Sequence, residues 1–258
     1  MGYKFGKYAS FGANTVTPSD TSNGVQFGGV AIGTGNTNAG NASLVVGSGN
    51  SIASGASLGG SLGCLVVGRG NTLGGGASPT GALMIGSGNN ASSDYSITLG
   101  RGNTHETASF LLVGGTGNTV GTGGDYSLVY GESCVVSGNY NLAGGYETTI
   151  KNNAAANAVW GEAITLDDNA TCSAAFGAYH SVGSTVTSQG NFIFASGYGA
   201  DARFYGQRVL AGRQFSAVGD AQTSDLIVKC QTTVQVFLRL QLLQEIQVLT
   251  MIVQLIHL

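Results

Sequence analysis

Leu-Val-Val-Gly-Arg-Gly-Asn at residues 65–71 is one of six copies of a line that recurs through the first half of the chain. Each copy opens with mostly apolar residues and closes with Gly-Asn, and the last carries one extra residue. Such recurrence is the sequence signature of a repeat architecture. The other copies are Val-Ala-Ile-Gly-Thr-Gly-Asn (30–36), Leu-Val-Val-Gly-Ser-Gly-Asn (44–50), Leu-Met-Ile-Gly-Ser-Gly-Asn (83–89), Ile-Thr-Leu-Gly-Arg-Gly-Asn (97–103) and Leu-Leu-Val-Gly-Gly-Thr-Gly-Asn (111–118).

The spacing of the closing asparagines indicates the length of the repeat. Successive asparagines are 14, 21, 18, 14 and 15 residues apart, and 21 is one and a half times 14. We interpret this as a 14-residue coil made of two half-turns of about seven residues, with insertions at the corners. At that length, residues 28–200 predict about a dozen coils of short β-strands stacked in parallel at ~4.8 Å.

Each coil is predicted to contain a longer strand, a glycine corner and a shorter strand such as residues 51–55. Glycine permits a positive φ at the corner. Asparagine beside it tolerates the left-handed conformation and can bond its own backbone. The residues predicted to form these structural turns are Gly33, Asn36, Gly47, Asn50, Gly68, Asn71, Gly86, Asn89, Gly100, Asn103 and Asn118.

The repeat weakens after residue 130 but keeps an apolar residue before the corner glycine at 128–131, 158–161 and 174–177. Because Trp160 stands directly before such a glycine, we predict that it belongs to the core. The predicted domains are an N-terminal cap or attachment segment at 1–27, the repeat domain at 28–200, a charged neck at 201–219 and a C-terminal segment at 220–258.

The C-terminal segment has a different character, since residues 220–258 contain neither glycine nor asparagine. Part of it has the seam spacing of a coiled coil, but other faces are apolar as well, so helix and strand both stay open for 234–258. Arg239, Glu245 and several glutamines argue against a membrane span, and we expect no membrane insertion. Burial between identical chains is the expected role of this segment.

The composition excludes several classes of protein. A net charge of −3 without basic clusters gives no basis for nucleic-acid binding. The 44 glycines lack a three-residue period, which excludes collagen, and a hydrophobic content of 42% is too high for a disordered linker. The N-terminal residues 1–6 show no apolar core of a signal peptide. The four cysteines Cys64, Cys134, Cys172 and Cys230 stand far apart, and we predict buried free thiols.

We expect no cofactor and no metal. The Gly-x-Gly-Asn line never continues into a phosphate-binding loop, and only residues 123–125 approach a calcium-binding turn. His105, His180 and His257 are widely separated. A glycan-cleaving enzyme would need paired carboxylates on a groove. The candidates fall near coil corners, where charge is usually only solvated: Glu132, Glu147, Glu162, Asp167 and Asp168.

Four exposed side chains are candidate receptor contacts. Arg69 and Arg101 occupy equivalent positions in two Gly-Arg-Gly-Asn turns and are predicted to lie on one edge. Tyr126 and Tyr146 belong to a run of aromatic residues at 126–179, and tyrosine on a rigid sheet can stack on sugar rings. Surface charge and core packing are the plainer alternatives for these residues.

Association with identical chains is expected from the thinness of each coil. A coil of two short strands has apolar residues on both faces, and it is too thin to shield both from water. With no feature that selects another protein, a second copy is the simplest partner, which gives closed cyclic symmetry.

The repeat unit over about residues 28–200 resembles the head repeats of trimeric autotransporter adhesins, and similar repeats occur in tail fibres of tailed bacteriophages. Residues 206–224, Gly-Gln-Arg-Val-Leu-Ala-Gly-Arg-Gln-Phe-Ser-Ala-Val-Gly-Asp-Ala-Gln-Thr-Ser, are similar to a segment that follows such repeats in phage fibres and opens a small β-domain. The resemblance implies an all-β, left-handed parallel β-roll assembled as a homotrimer with a C-terminal trimerising segment.

The departures from these families guide the expected function. An autotransporter needs a signal peptide and a membrane-anchor barrel, and this chain shows neither, which favours the phage fibre. After residue 233 the chain is rich in Leu, Gln, Val and Ile without proline, as a divergent tail or a frameshift would produce. We expect a non-enzymatic tail fibre or spike component of the virion, made in the host cytoplasm, that contacts other virion components and a host surface glycan or protein. The alternatives are a bacterial surface adhesin, a capsid-attached head fibre and a glycan depolymerase.

Overall fold

The structure is a computed structural model that describes residues 9–16, 29–40, 43–53, 63–74, 80–168, 170–183, 192–204, 206–212, 219 and 221–226. The described residues up to Leu226 belong to one compact unit. The predictions for the tail at 234–258 lie outside the described residues, as do 1–8 and 17–28 of the N-terminal segment. The described elements are all β-strands.

Up to β25 the strands alternate between a longer and a shorter type, which is the pattern that the repeat predicts. The longer strands are β1 (Ala9–Phe11), β3 (Val30–Thr34), β5 (Leu44–Ser48), β7 (Leu65–Arg69), β9 (Leu83–Ser87), β11 (Ile97–Arg101), β13 (Leu112–Thr116), β15 (Leu128–Glu132), β17 (Leu142–Tyr146), β19 (Ala158–Glu162), β21 (Ala174–Ala178), β23 (Phe194–Tyr198), β25 (Gln207–Ala211) and β26 (Gln222–Leu226). The two-residue strands are β2 (Thr15–Val16), β4 (Thr37–Asn38), β6 (Ser51–Ile52), β8 (Thr72–Leu73), β10 (Asn90–Ala91), β12 (Thr104–His105), β14 (Thr119–Val120), β16 (Val135–Val136), β18 (Thr149–Ile150), β20 (Thr165–Leu166), β22 (Ser181–Val182) and β24 (Asp201–Ala202).

Within the described residues the longer strands form a 14-stranded sheet and the shorter strands a 12-stranded sheet. Neighbouring strands run parallel, except that β26 pairs antiparallel with β25. The register places each repeat position on its own equivalent, so that Gly86 pairs with Gly100 and Gly100 with Gly115. The prediction of an all-β chain of parallel stacked coils is therefore confirmed, and the fold is a β-solenoid.

The core is a thin layer between the two sheets. From β3 to β23 the second residue of each longer strand points inward, and so does the second residue of most shorter strands. Val66, Met84 and Val113 from the longer strands meet side chains such as Leu73 and Val120 from the shorter ones, and all five are buried. One layer of side chains per coil thus supplies the apolar burial that drives folding.

Trp160 is not in the core, so the prediction for it is wrong. Its side chain is 47% exposed, and Ile85, at the equivalent position of an earlier coil, is 41% exposed. Side chains alternate between the two faces of a strand. Since Val159 is fully buried, its neighbour Trp160 must face outward.

The corner glycines have the positive φ that the sequence predicts, and their lack of a side chain is required by the next coil. Gly86 has φ +139°, and a Cβ at this position would lie 1.8 Å from the carbonyl oxygen of Gly100. The asparagines, in contrast, do not take the left-handed conformation. The second glycine of the line takes it instead, as Gly88 does with φ +65°. Asn89, which follows, turns its side chain inward and is buried.

The parallel stack continues beyond both limits of residues 28–200. The coil of β1 and β2 precedes it, and β24 and β25 lie within the 201–219 segment interpreted as a neck. Two of the charges that suggested a neck, Asp201 and Arg203, form an exposed ion pair of 2.7 Å beside β24.

Candidate functional site

The asparagines that close the repeat line form a buried ladder along one corner. The backbone N–H of Asn71 donates to the side-chain oxygen of Asn50 at 3.1 Å, and its Nδ2 donates to the same oxygen at 3.0 Å. Its Nδ2 also donates at 2.8 Å to the carbonyl of Gly86 in the next coil. Polar groups buried at a corner are thus satisfied by the neighbouring coils. The ladder runs through Asn14, Asn36, Asn50, Asn71, Asn89, Asn103 and Asn118.

This ladder ends where Asn118 accepts a bond of 2.9 Å from the backbone N–H of Cys134. A second ladder then begins at the corner that precedes the longer strands. The N–H of Asn157 donates to Asn141 Oδ1 at 3.1 Å, and the N–H of Ser173 donates to Asn157 Oδ1 at 2.9 Å. The change of corner explains why the Gly-Asn line fades after Asn118 although the coils continue.

His180 occupies a position of the first ladder and bonds as an asparagine would. Its Nδ1 accepts from the N–H of Ala200 at 3.0 Å, and its Nε2 lies 3.0 Å from the carbonyl oxygen of Phe176. An accepting Nδ1 places the proton of the neutral ring on Nε2, which then donates. Burial lowers the pKa of His180. The residue is therefore structural.

His105 is a second buried imidazole, at a position that holds an aliphatic residue in most other coils. Ser93 Oγ donates to the carbonyl of Glu106 at 2.6 Å, so it accepts from Nδ1 of the histidine at 2.6 Å. Nε2 then accepts from Thr98 Oγ1 at 2.6 Å. Burial lowers the pKa of His105 to about 4. The ring is fully bonded in its neutral form and is closed to solvent.

A column of four exposed aromatic rings lies at the corner that precedes the longer strands. The rings of Tyr95, Phe110, Tyr126 and Tyr140 stack with centroids 4.8 to 5.1 Å apart and planes within 11° of parallel. All four residues have a left-handed backbone, with φ between 48° and 59°. The next residue of this corner column is Ala156, also left-handed, whose N–H donates to the carbonyl of Asn139. Among the described residues the ring stack therefore ends at Tyr140.

The residue before each aromatic residue holds the corner together. The carboxylate of Asp125 accepts from the N–H of Ser109 in the preceding coil, and the N–H of Asp125 donates to Asn139 Oδ1 at 3.0 Å. Asp94 accepts from the N–H of Thr80 at 2.7 Å. These side-chain bonds fix the turns from which the rings project.

A polar cavity of about 430 Å³ lies at this corner, beside the end of the ring column. Three successive coils line it with Thr122, Ser137, Asn139, Asn152, Asn153 and Ala155, together with two glycines. Its lining contains no ionisable side chain. Its volume falls in the range of small-molecule sites.

Of the four candidate receptor contacts, three lie at the opposite end of the longer strands. Arg69 and Arg101 share one strand position, with Ser87 between them in register. Tyr146 ends β17 on the same ridge, between Glu132 and Glu162. Only Tyr126 belongs to the ring column, so the structure does not bring Tyr126 and Tyr146 together.

The ridge around Tyr146 is acidic and aromatic. A hydrogen bond to Glu147 and its charge raise the pKa of Tyr146. Tyr179 donates to Glu162 at 2.9 Å, which raises the pKa of the tyrosine. These phenols are therefore held in their protonated form beside the carboxylates.

The other groups that carry chemistry are dispersed. Asp167 pairs with Lys151 on the surface. Nowhere in the described ranges do three or more His, Cys, Asp or Glu side chains gather in a way that suits a metal ion. Cys64 and Cys134 are buried free thiols, as predicted, and burial raises their pKa. Cys172 is exposed, so that prediction is wrong for it, and Cys230 lies outside the described residues.

The outer face of the 14-stranded sheet carries about half of the large apolar residues that are exposed on the described surface. From β3 to β23 the first and third residues of the longer strands lie on this face, and in β25 the equivalent positions are Arg208 and Leu210. Tyr130 and Trp160 lie across glycines of the preceding coils, since a Cβ at Gly114 or Gly144 would meet their rings at 2.6 or 2.3 Å. The exposed large apolar residues of this face are Ile32, Ile85, Ile97, Leu99, Leu128, Tyr130, Leu142, Trp160, Phe176, Phe194 and Leu210.

Comparisons with protein-family models, with curated proteins and with solved structures each found no match for this chain. In the part of the chain that the structure describes, no helical segment has the length and apolar character of a membrane span.

The sequence does contain a signal for the ring column, but its positions are fixed relative to the following strand and not to the Gly-Asn line. Each of the four aromatic residues stands two positions before the first residue of a longer strand, as Tyr140 stands before Leu142. The cavity has no comparable signal, because its lining comes from three coils whose corners differ in sequence.

Proposed function

We propose that this protein is a non-enzymatic fibre protein with a structural and adhesive role, most simply a bacteriophage tail fibre or spike component. In this proposal the solenoid is a left-handed β-roll of 14-residue repeats, and three copies pack together. The fold is compatible with such a fibre. The resemblance of the repeat line and of residues 206–224 to phage fibre segments supports the viral assignment.

The observation that carries the proposal is the outward apolar face of the longer strands. Leu99 and Leu128 point out from a sheet whose inner face already covers the core. Extended exposed apolar surfaces in soluble proteins mark association sites. The face recurs in every coil with the same register, so a second and third copy of the chain provide matching surfaces along its whole length.

The oligomeric state tests the proposal first. Sedimentation equilibrium of the full chain is expected to give three times the 25.9 kDa of one chain. A monodisperse monomer would contradict the packing of copies.

Location is tested separately by immunogold labelling of phage particles with an antibody against the chain. Gold on the tail supports a tail fibre, gold on the capsid indicates a head fibre, and unlabelled particles reject the virion assignment.

The depolymerase alternative has its own test. Glu132, Glu147 and Glu162 share one exposed ridge rather than the described cavity, whose lining has no carboxylate. We expect no reducing sugar to be released when the protein is incubated with capsular polysaccharide. Release that is lost in Glu132→Gln or Glu162→Gln would replace the adhesive proposal with an enzymatic one.

A further inference from the structure

The polar cavity at the corner of residues 122–155 is lined by uncharged groups. Its polar side chains are three amides and two hydroxyls, from Asn139, Asn152, Asn153, Thr122 and Ser137. An amide offers both donors and acceptors, and so does a hydroxyl. A ligand that fits this lining must itself present donors and acceptors in close alternation, as the hydroxyl groups of a sugar do.

The absence of charge in the lining selects among such ligands. A charged ligand that loses water needs a counter-charge or several strong donors. The cavity has no ionisable group, and the nearby Lys151 is already paired with Asp167. The lining therefore favours a neutral ligand over a sulfated, phosphorylated or carboxylated one.

Tyr140 adds an aromatic surface beside the cavity. One face of its ring is stacked on Tyr126 at 5.1 Å, and the ring is 60% exposed. The column continues at Ala156, where a methyl group replaces a ring. The second face of Tyr140 thus has no ring against it in the described chain. It lies next in sequence to Asn139 of the cavity lining.

We propose that this cavity and the outer face of Tyr140 bind a neutral saccharide unit. The amides hold its hydroxyl groups, and the tyrosine ring packs against the apolar C–H face of the sugar. This inference rests on the proposed adhesive function and assigns the ligand class to one corner of the solenoid. Of the sequence-based candidates, Tyr126 contributes by supporting Tyr140, whereas Tyr146, Arg69 and Arg101 lie elsewhere.

The test uses the full chain and saturation-transfer difference NMR. The neutral probes are the methyl glycosides of glucose, galactose and N-acetylglucosamine, and the acidic probes are glucuronic acid and N-acetylneuraminic acid. We expect saturation transfer to at least one neutral probe and none to the acidic ones. In the Tyr140→Asn variant the affinity should fall about tenfold, the value of one aromatic contact.

The matched control is Tyr95→Asn. Tyr95 is at the other end of the same column, also has one stacked neighbour, and has φ 48° compared with 59° for Tyr140. Asparagine tolerates this conformation, so both variants lose one ring without straining the turn. Tyr95→Asn should leave sugar binding unchanged. A second cavity variant, Asn152→Asp, places a charge in the lining and should weaken binding of the neutral probe.

Three outcomes would overturn the inference: no transfer to any neutral probe, transfer to acidic sugars only, or equal loss of binding in Tyr140→Asn and Tyr95→Asn. These outcomes are separable from a failure of the proposed function. A trimer found on virions that binds no neutral sugar rejects the site alone. A chain that is absent from virions but binds the sugar through Tyr140 rejects the virion assignment alone.

Discussion

His105 shows how one polar residue is accommodated in a core one side chain thick. At the inward position of the shorter strand, neighbouring coils have Ala91 and Val120. At the inward position of its own longer strand, this coil has Thr98 where the next coil has Val113. Threonine and Ser93 satisfy both ring nitrogens. A bonded polar set, with Ser93 supplied by the preceding coil, therefore replaces the hydrophobic pair.

The buried imidazole is expected to make the protein sensitive to acid. In the folded state the pKa of His105 is about 4, below the ordinary histidine value of 6.5. As the pH falls from about 6.5 to about 4, the unfolded chain gains this proton and the folded chain does not. The free energy of unfolding should fall by up to about 3 kcal/mol over this window and be independent of this group above it.

The control is the double variant Thr98→Val with His105→Val, which copies the apolar pair of the following coil. Urea unfolding at pH 7.5 and pH 4.5, at one chain concentration, measures the loss on acidification. The loss should be smaller in the double variant than in the parent chain. An identical loss in both proteins would show that His105 does not cause the acid sensitivity.

A second residue-scale prediction concerns the corner of β11. In Gly100→Val, the new Cβ would lie 2.0 Å from the carbonyl oxygen of Gly115, at a position with φ +119°. We expect a loss of about 4 kcal/mol or more, because both the backbone strain and the clash oppose folding. Soluble folded yield and circular dichroism measure the effect.

The comparison for this variant is Arg101→Ala, next in sequence and exposed. It should stay within about 0.5 kcal/mol of the parent chain, as surface changes usually do. Equal yields of folded protein from Gly100→Val and Arg101→Ala would contradict the steric role of the glycine.

At the scale of the strands, stability comes from bonds between neighbouring coils. Each ladder asparagine bonds the coil before it and the coil after it, as Asn71 does with Asn50 and Gly86. In a stacked repeat, a change is felt first by the nearest neighbours. After Asn118 a second ladder takes the place of the first, so side-chain hydrogen bonds still connect most neighbouring coils.

Removing one member of the ladder should have a measurable cost. In Asn71→Ala, the backbone N–H of Asn89 loses its buried acceptor, the Asn71 side-chain oxygen, which lies 3.1 Å from the nitrogen. An unsatisfied buried group costs about 1–3 kcal/mol. Urea unfolding measures it, with Asn90→Ala as the control. Asn90 follows the ladder residue of its coil but is exposed, so its replacement should cost less than about 0.5 kcal/mol. Equal costs would show that the ladder bonds add nothing.

The strands also show how far the sequence can be interpreted. The glycine corners were predictable, because a position without Cβ admits one residue type and therefore recurs visibly. The outward direction of the Trp160 side chain was not predictable. In a strand of five residues, a shift of the assigned register by one position moves every side chain to the opposite face. The asparagines were assigned to the right turns but to the wrong conformation. A sequence does not reveal that the neighbouring coil supplies their partners.

The ring column was missed for a different reason. The distance from one corner to the next varies with the insertions, so Tyr95 and Tyr126 do not fall at a constant interval from the repeat line. Their register becomes visible only when positions are counted backward from the following strand. The cavity beside them depends on three coils together and had no signature in any one of them.

At the scale of the whole molecule, the proposed trimer depends on the apolar outer face. In the double variant Leu99→Lys with Leu128→Lys, two charges would have to be buried between copies, which is strongly unfavourable. We expect the variant to sediment as a monomer or to be recovered in low yield, because neither side chain contributes to the inner core.

The matched control places the same two charges on the corner ridge, in Ser87→Lys with Thr116→Lys. Both positions are exposed at the ends of β9 and β13, on either side of β11. The control should sediment with the mass of the parent protein. Trimers of equal stability from both double variants would assign the association of copies to another surface.

The reversal of direction at β26 bears on how such a stack avoids uncontrolled growth. Parallel coils with open backbone groups can template further copies end to end, as amyloid strands do. An antiparallel strand that presents Thr223, Ser224 and Asp225 to water breaks the register that a new coil would have to match. A single antiparallel strand of polar residues thus disfavours the addition of a further parallel coil at β26.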